Sequence, residues 1–118
     1  MSNTTFSDAE LLRYSRQILL PDWDIDAQLN LKSARVLMIG MGGLGCPAAQ
    51  VLARAGLGFL RTVDFDTVDE SNLQRQLLFY PADIGQPKVL AAKNSLSKIK
   101  FLKKSLYYFL IFRYLKMQ

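Results

Sequence analysis

At 118 residues, half of them hydrophobic, the chain has the length of one domain and enough apolar side chain to build a core, which excludes a polypeptide disordered by composition. A single cysteine, Cys46, and the absence of histidine exclude an internal disulfide framework, Ser-His-Asp or Cys-His catalysis and a Cys/His zinc cluster within it. The net charge of +5 belongs to the tail: up to Ser97 nine Lys/Arg face ten Asp/Glu, whereas from Lys98 onward there are six basic residues and no acid, so the body lacks the basic stripe that nucleic-acid binding requires.

The N-terminus carries no positive segment followed by an apolar stretch, so no secretory signal is indicated and the cytoplasm is the expected location. Ser7-Asp-Ala-Glu10 reads as a capping box opening a helix, along which Leu11, Leu12, Tyr14, Ile18 and Leu19 recur at roughly helical spacing until Pro21. These aliphatic positions and Trp23 are expected to be core or dimer contacts. Asp26 is expected to cap a second helix running to about Lys32. The apolar run Ala34 to Gly40 suits a strand buried on both faces of a parallel sheet. After the glycines, Pro47 at a first helical turn and Ala48, Ala49, Val51, Leu52 and Ala55 predict a small-residue helix ending near Gly56 and Gly58. Leu60 to Asp64 predicts a second strand, which completes one right-handed crossover unit. Phe65 to Gln86 reads as polar and irregular, and Lys88 to Ile99 as helical. The fold class is therefore α/β, a Rossmann-like nucleotide-binding fold with a parallel sheet and N-terminal helices. Three segments are expected: a helical part over 1–33, a nucleotide-binding part over 34–99, and a basic, aromatic tail over 100–118.

Gly40-Met41-Gly42-Gly43-Leu44-Gly45 matches G-x-G-x-x-G in its required context, after a strand and into a helix. Backbone without Cβ atoms can turn sharply and approach a phosphate, and the helix start offers free N–H groups and a positive dipole end. Asp64 follows Gly45 by 19 positions, where a carboxylate can accept from ribose hydroxyls. These features leave dinucleotide and ATP both open. Asn72-Leu-Gln-Arg75-Gln76 and Gly85-Gln-Pro-Lys88 add two cations suited to the larger charge of a triphosphate. Cys46, at a helix start, reads as a small packing residue in preference to a nucleophile.

The run Arg13 to Gln17 (RYSRQ), the GMGGLG loop followed by Cys46, Val63 to Val68 (VDFDTV), Ser71 to Gln76 (SNLQRQ) and Gly85 to Lys88 (GQPK) occur in the order and spacing of the MoeB/ThiF/HesA family. The chain resembles that family, the prokaryotic relatives of ubiquitin-activating enzymes. The resemblance implies an adenylyltransferase that binds ATP and Mg²⁺ and attaches AMP to the C-terminal glycine of a ubiquitin-like sulfur-carrier protein of the MoaD or ThiS type, as in molybdopterin or thiamine biosynthesis. It implies that Gly40, Gly42, Gly43 and Gly45 form the nucleotide loop with Gly43 against the nucleotide. Asp64 would hold the ribose, and Asn72, Arg75 and Lys88 would bind phosphates. Arg16 would insert into the partner's site of a homodimer, and Asp66 would support the nucleotide end of the sheet or cap the strand.

The resemblance runs from about Leu12 to Ile99, and a full-length relative is at least twice as long. The family's later strands, its Mg²⁺-holding aspartate, the loop that receives the carrier and the paired CxxC zinc motifs are not in the sequence, so a truncated, weakly active or inactive form is expected. The tail is too short in apolar length to span a membrane. It reads as an interfacial amphipathic helix or, preferably, as the product of a truncated or shifted reading frame, prone to aggregation. The rival functions are a fragment of an NAD- or FAD-dependent oxidoreductase, which shares the glycine loop alone, and a non-catalytic dimerising fragment.

Overall fold

The computed structural model describes residues 5–99 and the strand 106–110. Two helices, α1 (Asp8–Ile18) and α2 (Ile25–Ser33), precede an alternation of β1 (Arg35–Ile39), α3 (Gly45–Ala55), β2 (Phe59–Val63), α4 (Lys88–Ser97) and β3 (Leu106–Leu110). The strands are parallel in the order β1-β2-β3, with Arg35 opposite Phe59 and Phe59 opposite Leu106. The tail thus contributes a strand at 106–110, where an amphipathic helix or an unpacked stretch had been expected. Phe-, Tyr- and Leu-rich sequence without Gly or Pro favours extended structure once an open strand edge is available to pair with.

Two crossovers step across the sheet in the same direction, and right-handed connections then place both helices on one face. Ala49 and Ala53 of α3, Ala91, Ala92 and Leu96 of α4 and Leu60 of β2 are buried together there. Alanines allow the helix axes to lie close to each other and to the sheet. The opposite face explains a correction: β1 is not buried on both sides. Leu37 is 58% and Ile39 79% exposed, while Val36 and Met38 pack on the core. Alternation along a strand sends every second side chain to a face that no described helix covers.

The N-terminal helices clasp the far end of α3. Ser7 and Glu10 form the expected capping box. Asp24 caps α2 by accepting from the Ala27 N–H, and Asp26 lies in the first turn; the side chain one position before the helix is the one that reaches its free amides. On α1 the buried residues are Glu10 and Tyr14, whereas Leu12 and the C-cap Leu19 are exposed, so of the expected core or dimer contacts these two leucines are not core, and the core-facing side is carried by a tyrosine and an ion-paired glutamate. Gln28 is fully buried: its amide nitrogen donates to the Ala55 carbonyl (2.8 Å), and its oxygen accepts from Trp23 Nε1 (2.9 Å) and Gln17 Nε2. Gly56, with φ of +109°, ends α3 beneath this cluster; a Cβ there would meet the Gln28 amide and the Tyr14 ring. No helix of the described residues is long and apolar enough to cross a membrane.

Candidate nucleotide site

The chain leaves β1 through Gly40, whose φ of +98° is the left-handed region open to glycine. The Gly40 N–H donates to the Val63 carbonyl (2.7 Å), tying the bend to the end of β2. The turn then closes on itself so tightly that a Cβ on Gly45 would stand 2.2 Å from the Gly40 oxygen. No side chain caps the start of α3; the Cys46 N–H donates to the Gly42 carbonyl (3.0 Å) and the Ala48 N–H to the Leu44 carbonyl (3.2 Å), and the positive end of the helix dipole faces the loop.

Three side chains meet successive residues of this loop. The Asp64 carboxylate accepts from the Met41 N–H (2.7 Å) and, through its other oxygen, from the Asp66 N–H (2.7 Å). The Gln76 amide nitrogen lies 3.8 Å from where a Gly42 Cβ would be. Arg75 Cδ and Nε lie 3.7 and 3.8 Å from the corresponding point on Gly43. A Cβ on either glycine would stand in ordinary van der Waals contact with these groups. Arg75 is anchored by the Ser71 carbonyl (3.0 Å) and the Gln74 side chain (3.1 Å), with its guanidinium exposed.

The segment that presents Arg75 and Gln76 begins in a 3₁₀ turn, Glu70–Asn72, capped by Asp69. Hydrogen bonds from the Ser71 hydroxyl and backbone N–H hold the Asp69 carboxyl below its ordinary range. Asn72 is buried, with its side-chain oxygen accepting from the Asp69 N–H (2.8 Å) and its carbonyl accepting from the Arg75 and Gln76 amides. Its placement is that of a brace for the Arg75-Gln76 turn.

Lys88 arrives from the other direction. Asp66–Val68 and Gly85–Lys88 run side by side, joined by Val68 N–H to Gln86 O (2.8 Å), Lys88 N–H to Asp66 O (3.0 Å) and a Thr67–Pro87 bridge. This pairing buries Lys88 at the start of α4, its ammonium 3.7 Å from an Asp66 carboxylate that is itself half in solvent. Asp66 also caps its own turn, accepting from the Thr67 N–H (2.9 Å). A buried cation with one long, wet counterion is incompletely compensated and is suited to receive an anion.

Cys46 is fully buried behind the loop, donating to the Met41 carbonyl (3.4 Å). Burial pushes its thiol up to about 11, against a weak opposing pull from a backbone contact at Leu78 and the charge of Lys88. The packing reading holds. Thus Gly40, Gly42, Gly43, Gly45, Asp64, Asn72, Arg75 and Lys88 are drawn to one end of the sheet, together with Asp66 and with Gln76, which spacing alone did not single out. Arg16 stands apart. The next residue, Gln17, donates to the Ala55 carbonyl at the far end of α3, which at ~1.5 Å per residue is on the order of 15 Å from the loop. Among the described residues no group of three or more His, Cys, Asp and Glu is placed to hold a metal ion.

A parallel sheet whose first strand turns through a glycine loop into a helix, with an acid ending the second strand and two cations closing on the bend, defines a Rossmann-type nucleotide-binding class. Residues 14–104 match the model of the ThiF family, and the chain belongs to that family. It is 57% identical over 93 residues to the molybdopterin-synthase adenylyltransferase of Escherichia coli, covering 79% of this chain and 37% of that protein. It is 50% identical over 96 residues to the probable adenylyltransferase/sulfurtransferase MoeZ of Mycobacterium tuberculosis, covering 81% of this chain and 24% of that one. In structure it is similar to the E. coli tRNA N6-threonylcarbamoyladenosine dehydratase TcdA solved in complex with AMP, with a TM-score of 0.78 and 25% identity over 90% of this chain and 42% of that one. The chain spans less than two-fifths of the length of these curated relatives.

Proposed function

We propose that the chain carries the ATP site of an adenylyltransferase that attaches AMP to the C-terminal carboxylate of a ubiquitin-like sulfur-carrier protein, in the cytoplasm and as a homodimer. The observation that carries this reading is the convergence of Asp64, Gln76 and Arg75 on residues 41, 42 and 43 of the glycine loop, with the buried Lys88 ammonium paired to Asp66, whose N–H donates to Asp64. Asp64 has acceptor capacity left for ribose hydroxyls. Arg75 and Lys88 supply the positive charge that a triphosphate demands and a dinucleotide does not. Asn72 acts by holding the Arg75 turn, and Asp66 keeps Lys88 in place until phosphate competes for it.

In the reaction a carboxylate oxygen of the carrier bonds to the α-phosphorus, the bond to the bridging oxygen breaks, and its electron pair leaves with pyrophosphate. Positioning and charge neutralisation carry such a step without a protein nucleophile, in keeping with a chain that has no histidine and a buried, weakly acidic thiol. Mg²⁺ would arrive with the nucleotide and add positive charge to its phosphates; among the described residues no cluster of carboxylates forms a cage for it. Arg16, remote from its own loop, would serve the partner's site. The names of the relatives, molybdopterin-synthase adenylyltransferase above all, support this reading over an oxidoreductase.

Thermal unfolding with added nucleotide tests it. ATP with Mg²⁺ is expected to raise the midpoint, and NAD to leave it unchanged; protection by NAD alone would reject the reading. Pyrophosphate exchange with a MoaD- or ThiS-type carrier, run on this chain and on the chain joined to the remainder of a full-length relative, then separates missing parts from a wrong substrate.

A further inference from the structure

Gln76 is 2% exposed, yet its side-chain oxygen has no hydrogen-bond partner. A buried amide acceptor left unpaired is costly and uncommon in a folded chain. Its position gives it a use. Asp64 meets the loop at Met41, Gln76 at Gly42 and Arg75 at Gly43, so Gln76 stands between the acid suited to a ribose and the cation suited to the outer phosphates. A nucleotide laid along the loop in that direction passes Gly42 where its ribose joins its α-phosphate.

We propose that Gln76 is a nucleotide-binding residue that spans this junction, donating its amide N–H to an α-phosphate oxygen and accepting a ribose hydroxyl at the oxygen now unpaired. The inference rests on the nucleotide reading above and adds a residue to it. A carboxamide does both at once without charge and from two separate atoms, whereas a carboxylate only accepts and an ammonium only donates. Neutrality also leaves the charge balance at the α-phosphorus to Arg75 and Lys88.

The test is equilibrium binding of AMP and of ATP with Mg²⁺ to the full chain and to Gln76→Leu, Gln76→Glu and Arg75→Ala. Gln76→Leu is expected to weaken AMP and ATP by a common factor, roughly tenfold or more for a hydrogen bond to a charged group. Gln76→Glu, of the same shape but with a carboxylate turned on the phosphate, is expected to weaken both further. Arg75→Ala is expected to weaken ATP more than AMP. Urea unfolding without ligand is expected to leave Gln76→Leu as stable as the parent, since the change removes an unpaired acceptor. AMP affinity within twofold of the parent in both Gln76 variants overturns the proposal while leaving the nucleotide site intact. Loss of affinity in step with loss of stability in both variants overturns it in favour of a structural role. A parent chain that binds neither AMP nor ATP overturns the site reading itself.

Discussion

A methyl group on Gly45 would stand 2.2 Å from the carbonyl oxygen of Gly40 and 3.0 Å from its carbon, both backbone atoms of the bend that forms the site. Nothing flexible can move aside, so Gly45→Ala must open the loop. The expected cost is ~1–3 kcal/mol in urea unfolding, together with loss of the thermal protection conferred by ATP with Mg²⁺. Cys46 makes the opposite case, a residue whose chemistry is silenced by its surroundings. Fully buried and with its thiol pushed up to about 11, it is expected to resist alkylation by iodoacetamide at pH 8 until denaturant is added; modification at the rate of a free thiol under native conditions would contradict the packing. At this scale the sequence was legible for the glycine bend, because the left-handed backbone at Gly40 and the close backbone approach at Gly45 admit few residue types. It was silent on Gln76, which lies 34 positions from Gly42 in the chain and became distinctive only once burial left its oxygen without a donor.

The clasp of α1 and α2 on the end of α3 is the element on which the orientation of the N-terminal segment depends. Gln28 satisfies the Ala55 carbonyl, the Trp23 ring nitrogen and the Gln17 amide from inside the protein. Gln28→Leu leaves the Trp23 donor and the Gln17 amide without this partner, and an expected loss of ~1–3 kcal/mol in urea unfolding measures the cluster. The Glu10–Lys32 pair, at 3.0 Å, ties α1 to α2. Burial tends to raise the Glu10 carboxyl, but the Ser7 backbone N–H, Lys32 and the Ser7 hydroxyl outweigh it, and the net effect lowers the carboxyl from its ordinary 4.5. A carboxyl lowered in the folded state adds stability that is complete above its ordinary value and is lost as the pH falls through its folded one. Stability is therefore expected to fall as the pH drops below 4.5, and Glu10→Gln to show a shallower fall in the same window, measured by urea unfolding across pH. Capping boxes and strand-helix alternation were readable from local pattern. The choice of Tyr14 over the leucines as the buried face of α1 depended on which side α3 presents to the helices.

Over the whole molecule, two right-handed crossovers have put α3 and α4 on one face of the sheet and left Leu37 and Ile39 of β1 open on the other. An open apolar face of this kind promotes association. Ile39→Lys, placing a charge on that face, is expected to reduce concentration-dependent light scattering while leaving the melting temperature within a degree or two of the parent; a marked drop in melting temperature would show that the face is packed in solution. What the sequence determined by itself was the class of fold, the glycine bend and the family, because each depends on residue types at short and regular spacing. The tertiary structure alone decided that β1 is covered on one side, that 106–110 joins the sheet, that Arg16 stands away from its own loop, and that an unpaired amide lies against Gly42. Each of these follows from segments far apart in the chain being folded onto the same few ångströms, a proximity that local pattern does not encode.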